Sequence, residues 1–167
     1  DLISRLCRQH QIANSDISCA VIGGNTTMIH LFLGLSPTLL CREPYIPTAN
    51  QPGPITAREI DLGINPLGVL YCIPSAGSYV GGDAIAGILV SEMYLKETVS
   101  VLIDIGTNGE MILGNSEWIA ACAGAAGPAL EGGVAASGIR AKAGAVDSVK
   151  IDSKTKKASY TTINNEK

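Results

Sequence analysis

A turn at residues 104–109 concentrates side chains and glycines of the kind that bind a phosphate group. It lies within the segment "VLIDIGTNGEMILG", and its polar residues and glycines are Asp104, Gly106, Thr107, Asn108 and Gly109. Two glycines allow positive φ and let a ligand approach the main chain without meeting a Cβ atom. Successive exposed N–H groups form a concave anion site, and Thr107 and Asn108 add side-chain donors. Asp104, at the end of a strand, is suited to hold a hydrated magnesium ion.

The same residues also fit a plain β-hairpin. Residues 101–103 before the turn and 111–113 after it are apolar and predict two short, largely buried strands. Asn108-Gly109 is a favourable turn dipeptide between such strands. The turn by itself therefore slightly favours the plain hairpin and leaves the phosphate site open.

Composition and charge exclude several classes of protein. The chain has 167 residues, of which 46% are hydrophobic, so it can bury a substantial core. The net charge is −3 and no basic cluster precedes the terminal lysines, which argues against a nucleic-acid partner. The longest apolar runs, such as "AIAGILV", are too short to cross a membrane.

The cysteines predict a reducing environment. There are five of them, widely spaced and without a C-x-x-C pair, which disfavours a disulfide framework or a self-contained metal site. We therefore expect a cytoplasmic protein. Cys19, Cys72 and Cys122 lie in or beside apolar strand-like runs, and we expect them in the core.

The hydrophobic pattern predicts a mixed α/β chain. Predicted helices lie at residues 2–12, 25–34, 57–62, from about 80 for four turns, and near Ala129. Predicted strands lie at residues 17–23, 69–73, 100–105, 110–114 and 117–122, with a final hairpin around "DSKTKK". Residues 36–57 contain five prolines and are expected to form a long loop.

This order of elements resembles the junction between the two lobes of the actin, sugar-kinase and heat-shock ATPase superfamily. Within it, five successive motifs are similar to the carboxy-terminal ATPase-type region of the reductive activators of corrinoid proteins. They are "GGNTTMIHLFLGL", "PYIP", "SYVGGDAIAGIL", "IDIGTNGEMILG" and "AAGPALEGG". The resemblance implies a partial ribonuclease-H-like, actin-type fold straddling two lobes. Residues 1–97 would end the first lobe with the connecting helix, and residues 98–167 would begin the second.

The resemblance also implies a function. Proteins of that family use ATP and an amino-terminal iron–sulfur module to reduce the inactive cob(II)amide of a corrinoid methyl-transfer protein to cob(I)amide. The first phosphate loop and the iron–sulfur cysteines are absent from this sequence, so we expect an excerpt of a longer protein. The expected cofactors are ATP and magnesium, with the iron–sulfur cluster in the parent protein only. The expected partner is the corrinoid protein, and open sheet edges also allow a homodimer.

The resemblance assigns roles to individual residues. Asp104 would hold magnesium, and residues 106–109 would hold phosphate oxygens. Three residues on the next small-residue loop would pass close to the nucleotide, namely Gly127, Glu131 and Gly132. Asp83 could order the attacking water as a second catalytic residue, although an acidic residue in the first turn of a helix is favourable without any catalytic duty. Asn25 or Thr26 can cap a helix, and His10 and His30 are expected to be surface or packing residues.

Two other functions fit the sequence. One is a different subunit of the same superfamily, such as a hydantoinase-like protein or a dehydratase activator. The other is a non-catalytic interaction module whose glycine turns only build the fold. A ferredoxin-type cysteine pattern upstream in the parent protein would favour the corrinoid activator, and nucleotide titration would separate the interaction module from both ATPases.

The isolated chain of 167 residues is expected to bind ATP weakly and not to hydrolyse it at a useful rate. Nucleotides in the superfamily lie between two lobes, and one phosphate loop alone cannot surround the γ-phosphate. The lost contacts should lower the affinity by roughly a thousandfold. Calorimetry with magnesium-ATP tests this expectation. A micromolar dissociation constant with steady phosphate release would contradict it.

Overall fold

The computed structural model describes residues 2–127, 131–132 and 136–165 and confirms a mixed α/β fold. The α-helices are α1 (Leu2–His10), α2 (Thr26–Phe32) and α3 (Gly82–Ser91). The strands are β1 (Cys19–Ile22), β2 (Ile55–Thr56), β3 (Val69–Cys72), β4 (Ser100–Ile105), β5 (Asn108–Gly114), β6 (Ile119–Ala125), β7 (Val146–Ile151) and β8 (Ala158–Thr162). The expected helix near Ala129 lies outside the described residues.

The first sheet has the strand order β1-β3-β2. Strands β1 and β3 are parallel, with Cys19 opposite Val69 and Ile22 opposite Cys72, and α2 lies between them in the chain. The short strand β2 pairs with β3 in antiparallel orientation. The prediction of an uninterrupted loop over residues 36–57 is therefore wrong at its end. A strand of two residues gives too little alternation to be read from sequence.

The first sheet packs around a small core. Ala57, Ile64 and Leu70 are buried there and contact partly buried neighbours that include Ala20 and Ile22. The predicted helix at 57–62 is a single 3-10 turn, Ala57–Ile60, opened by a capping box. In this box, hydrogen bonds from the hydroxyl and the N–H of Thr56 hold the pKa of the Glu59 carboxyl below its usual value.

The second sheet is a meander of three strands, which correspond to those predicted at residues 100–105, 110–114 and 117–122. Its strand order is β4-β5-β6, with connections of two and four residues. A second core cluster joins Ala84 of α3 with Met93 and Ile112, and Leu102 packs against it.

The prediction that the strands of this meander are largely buried holds for one face only. Leu102 and Ile112 pack in the second core cluster, whereas Val101, Ile103, Met111 and Leu113 are each at least 45% exposed. Successive side chains of a strand point to opposite faces. Because both faces of these strands carry apolar side chains, the sequence does not indicate which face is covered.

Helix α3 begins where two glycines allow main-chain segments to approach closely. A Cβ atom on Gly82 would lie 2.5 Å from the carbonyl oxygen of Ile73. A Cβ atom on Gly81 would lie 2.5 Å from Cα of Asn25 and 2.9 Å from the nitrogen of Thr26. The amino-terminal ends of α2 and α3 therefore meet just beyond the carboxyl ends of β1 and β3. The helix starts two residues later than predicted, because Gly81 serves as its N-cap.

The described residues form two compact units. The first comprises the described residues up to Ile103 with Glu110–Ala123, and the second comprises Asp104–Gly109 with the described residues from Gly124 onwards. The second unit contains the predicted hairpin of β7 and β8, which pair in antiparallel orientation. Asp152 Oδ1 accepts hydrogen bonds from Thr155 and Lys154 at the hairpin turn, which hold the pKa of this carboxyl below its usual value.

The cysteines only partly follow the prediction. Cys72 is buried as expected, and burial raises the pKa of its thiol. The placement of Cys19 and Cys122 in the core is wrong, since both are exposed, whereas Cys7 on α1 is buried. Cys19 lies on the outward side of β1, and β6 is exposed along its length. None of the helices within the described ranges is long and apolar enough to cross a membrane.

Gly82→Ala should destabilise the protein. Alanine is normally favoured over glycine in a helix by about 1 kcal/mol, but the added Cβ would overlap the Ile73 carbonyl. We expect a loss of about 1–3 kcal/mol in the free energy of unfolding, measured by urea denaturation. Gly53→Ala is the control, because a Cβ atom on Gly53 meets nothing within 4 Å. A stabilised Gly82→Ala variant would contradict the close approach.

Candidate functional site

The turn between β4 and β5 is tight and open to solvent. Strand β4 ends at Ile105 and β5 begins at Asn108, so that Gly106 and Thr107 form the connection. The N–H of Gly106 donates a hydrogen bond to the carbonyl of Asn108 at 2.8 Å. Gly106, Thr107 and Asn108 are exposed, and Gly109 is half-buried.

The glycines of this turn do not supply positive φ. Neither Gly106 nor Gly109 is among the residues with positive φ, which corrects the reason given for them from the sequence. What Gly106 provides is an open main chain, since a Cβ there would find its nearest neighbour at 3.9 Å. A ligand could approach this backbone without steric hindrance.

The Asn108-Gly109 dipeptide does not form the hairpin turn. A type I′ turn needs positive φ at both central residues, and neither Asn108 nor Gly109 has it. Both residues already belong to β5. The plain-hairpin interpretation is therefore wrong about the position of the turn, because Gly106 and Thr107, two residues earlier in the chain, connect the strands.

Gly127 packs directly against this turn. A Cβ atom on Gly127 would lie 2.9 Å from the carbonyl oxygen of Gly106 and 3.3 Å from that of Thr107. Gly127 also has a positive φ of 50°, which glycine adopts without strain. The structure thus brings Gly127 together with Gly106 and Thr107 within the second unit.

The polar side chains of the turn are not used to build it. Within the described ranges, the side chains of Asp104, Thr107 and Asn108 make no hydrogen bond to another residue. Asn115, in the next turn of the meander, is different: its side chain bonds to Glu97, Glu117 and Trp118. The hydrogen bonds of its own turn thus account for an asparagine at position 115, whereas no such bonds account for the asparagine at position 108.

Glu131 and Gly132 follow on the loop that contacts the turn. The N–H of Glu131 donates to the carbonyl of Gly127 at 2.9 Å. Glu131 lines a cleft of about 320 Å³, whose other lining residues are Ser137, Gly138, Ile139, Gly144, Ala145 and Val146. Gly132 has a φ of 128°, and a Cβ there would lie 3.3 Å from the carbonyl of Gly138. The sequence predicted this loop but not the cleft.

Asp83 belongs to the first unit and lies in the first turn of α3. Its Oδ1 accepts a hydrogen bond from the N–H of Ala84 at 2.9 Å, and its own N–H donates to Gly24 at 3.3 Å. The carboxylate therefore interacts with its own helix terminus, as the non-catalytic interpretation predicts. It remains half-buried, with its second oxygen available for another partner.

A buried polar network lies beside Asp83 in the first unit. Asn25 caps α2 by accepting a hydrogen bond from Met28 at 2.8 Å. The Thr26 hydroxyl donates to the carbonyl of Gly77 at 2.7 Å, and His30 Nδ1 lies 2.7 Å from the carbonyl of Thr26. Thr26 and His30 are almost completely buried, whereas His10 is exposed. Sequence reasoning saw His30 only as a packing or surface residue.

The donor set suits a magnesium ion that keeps most of its water. Among the described residues, no group of three or more histidine, cysteine or acidic side chains converges to form a complete metal site. Magnesium in phosphate-transfer sites is typically held by one or two carboxylates together with substrate phosphates and water. The half-buried Asp104 carboxylate, which bonds to no side chain or main chain in the part of the protein that the structure describes, fits this arrangement.

Comparison with known proteins shows that the chain is similar to activators of corrinoid proteins. A family model described as the RACo middle region matches residues 1–96, and one described as the C-terminal domain of RACo, the ASKHA domain, matches residues 98–167. ASKHA denotes the actin-like ATPase superfamily, which suggests nucleotide binding. A solved structure of a "Reductive activator for corrinoid,iron-sulfur protein" matches with a TM-score of 0.74 and 43% identity over 98% of this chain.

Two curated proteins are also similar. The "Corrinoid activation enzyme RamQ" of Eubacterium limosum is 33% identical over 98% of this chain. The "[Co(II) methylated amine-specific corrinoid protein] reductase" of Methanosarcina barkeri is 38% identical over 46% of the chain. The chain spans 27% and 14% of the lengths of these two relatives, and 26% of the solved structure.

Gly127→Ala should disrupt the packing of this loop against the turn. Alanine at this position would have to adopt the positive φ of Gly127, which is unfavourable for a residue with a Cβ atom. Its Cβ would also lie 2.9 Å from the carbonyl oxygen of Gly106. We expect urea denaturation to show a loss of about 1–3 kcal/mol in the free energy of unfolding. Gly106→Ala, on the other side of the contact, should change it by less than about 0.5 kcal/mol. Equal stability of both variants would contradict the contact.

Proposed function

Since this chain belongs to the RACo family through its middle region and its ASKHA domain, we propose that it supplies part of the ATP site of a reductive activator of corrinoid proteins. The names of the similar proteins support this activity. In the full-length protein, one electron from an iron–sulfur cluster would reduce cob(II)amide to cob(I)amide, and ATP use would help drive that reduction. The cluster would lie in a part of the protein outside this chain.

The turn at residues 104–109 carries the proposal. It combines an exposed main chain, a carboxylate and two polar side chains that have no partner among the described residues, and a glycine packed behind it. A structural hairpin needs none of these side chains to be free. Phosphoryl transfer depends mainly on positioning and charge neutralisation, for which main-chain donors, a hydroxyl and a metal-holding carboxylate suffice.

The individual residues would divide the work as follows. Asp104 would hold magnesium through its water, and magnesium would neutralise charge on the phosphates. The main chain of residues 106–109, with the Thr107 hydroxyl and the Asn108 amide, would orient phosphate oxygens. Gly127 would keep the turn in place.

Asp83, Glu131 and Gly132 complete the proposed site. Asp83 would accept a hydrogen bond from the attacking water through its free carboxylate oxygen. Glu131 and Gly132 would border the nucleotide on the loop after Gly127. We place the boundary between the two lobes of the full-length protein at residues 97 and 98.

Asp104→Asn tests the magnesium role in the full-length protein. The substitution preserves the shape of the side chain but removes its charge, so ATP hydrolysis should fall by roughly a hundredfold. Asp61→Asn is the matched control, because Asp61 is exposed and has a φ of 50°, a conformation that asparagine tolerates. Unchanged ATP-dependent activation of the corrinoid protein by Asp104→Asn would remove Asp104 from the site. Absence of nucleotide binding by the wild-type protein in calorimetry would favour the interaction module instead.

A further inference from the structure

The buried side chain of His30 has two different hydrogen-bonding nitrogens. Its Nε2 accepts from the N–H of Thr48 at 3.1 Å and from the N–H of Ala49 at 3.4 Å. A nitrogen that accepts from two amides carries a lone pair and no proton. Its Nδ1 faces the carbonyl of Thr26 at 2.7 Å, which can only accept. The ring is therefore neutral with its proton on Nδ1.

These bonds tie a proline-rich loop to the first turn of α2. Thr48 and Ala49 lie in the segment that connects α2 with β2, a part of the chain with little regular structure. Because His30 is fully buried, its Nε2 would lose both of its partners if the loop moved away, and the N–H groups of Thr48 and Ala49 would lose their acceptor. Unsatisfied buried polar groups are costly, so the loop is held in one position.

The held loop in turn holds the segment that leads into α3. Asn50 accepts a hydrogen bond from the N–H of Ser75 at 2.8 Å, and the Ser78 hydroxyl donates to the carbonyl of Tyr45. The rings of Tyr45 and Tyr79 are in contact, with centroids 6.0 Å apart. The two loops are thus joined at three places.

Thr26 completes the connection. Its hydroxyl donates to the carbonyl of Gly77 in the same segment, and its main-chain nitrogen lies where a Cβ of Gly81 would come within 2.9 Å. That same Cβ would lie 2.7 Å from Oδ1 of Asp83. Thr26 and Asp83 thus both lie close to Gly81, and the N–H of Asp83 donates to the carbonyl of Gly24, two residues before Thr26, at 3.3 Å. These contacts hold the start of α3 against the start of α2, which His30 connects to the two loops.

We propose that His30 is a positioning residue, which in its neutral form fixes residues 45–50 and 75–79 and thereby orients Asp83 at the start of α3. This role rests on the proposed function, because it matters for catalysis only if Asp83 orders the attacking water. The Nε2 atom holds the loop by accepting from Thr48 and Ala49, and the bond from Nδ1 to Thr26 orients the ring for that task.

His30→Asn and His30→Gln separate these two tasks in the full-length protein. Asparagine can place an amide donor near the position of Nδ1 but does not reach Thr48, whereas glutamine can place an acceptor near the position of Nε2. Hydrogen exchange of peptides covering residues 45–50 and 75–83 should accelerate about tenfold in His30→Asn and remain close to wild type in His30→Gln. Equal exchange in the two variants would overturn the proposal.

Kinetics test the consequence for Asp83. His30→Asn should lower kcat for ATP hydrolysis roughly tenfold or more with little change in KM, and His30→Gln should retain most of kcat. His10→Asn, on an exposed position of α1, is the control and should leave both values unchanged. Faster exchange in His30→Asn with an unchanged kcat would overturn the positioning of Asp83.

A second pair of variants keeps the test independent of the histidine substitutions. Thr26→Val removes the hydroxyl at almost constant volume, and Thr26→Ser retains it. Faster exchange of residues 75–83 in Thr26→Val alone supports the proposal, and equal exchange in both contradicts it. A wild-type protein that hydrolyses no ATP would refute the proposed function, and the exchange comparisons would still decide whether His30 holds the two loops.

Discussion

Close approach between main-chain segments is the constraint on which this structure depends. At Gly81, Gly82 and Gly127, a Cβ atom would come within 3 Å of the main chain of another segment. In the first unit, this closeness lets α3 begin against the carboxyl end of β3 and beside the start of α2. In the second unit, it lets the loop after β6 lie on the turn between β4 and β5. Side chains with a Cβ atom would separate these segments and leave the turn unsupported.

Such close packing needs polar partners, because helix ends and loops carry main-chain groups that the sheet does not satisfy. Asn25, Thr26 and His30 provide them in the first unit, and no buried side-chain nitrogen or oxygen among the described residues lacks a hydrogen bond. Histidine suits this position because one rigid ring can donate a hydrogen bond from one nitrogen and accept hydrogen bonds at the other. A purely apolar side chain would pack equally well but would leave the amides of Thr48 and Ala49 unpaired.

Much of this arrangement could be predicted from the sequence, and the misses have physical reasons. Long periodic segments gave the strand and helix order from β1 to α3, the meander and the final hairpin. The burial of individual side chains was harder to predict, because Cys19 and Cys122 are apolar in character yet lie on exposed sides of their strands. The connection between β4 and β5 was located, but its turn dipeptide was placed two residues too late, because Asn108-Gly109 is a strong turn signal although both residues belong to β5. The network of His30 joins residues 18 and 19 positions apart, a relation that periodicity cannot reveal.

The turn at residues 104–109 is a candidate binding site because the fold does not use its polar side chains in hydrogen bonds among the described residues. In the next turn of the meander, the Asn115 side chain is consumed by three hydrogen bonds that close the loop. At the turn between β4 and β5, Gly127 packs against the main chain of Gly106 and Thr107. The side chains of Thr107 and Asn108 make no hydrogen bond to another described residue. A main chain that is already fixed by packing needs no rearrangement when a ligand arrives, which lowers the cost of binding. A turn whose polar side chains make no bond to another described residue is therefore better suited to an anion than a turn whose donors already stabilise the protein.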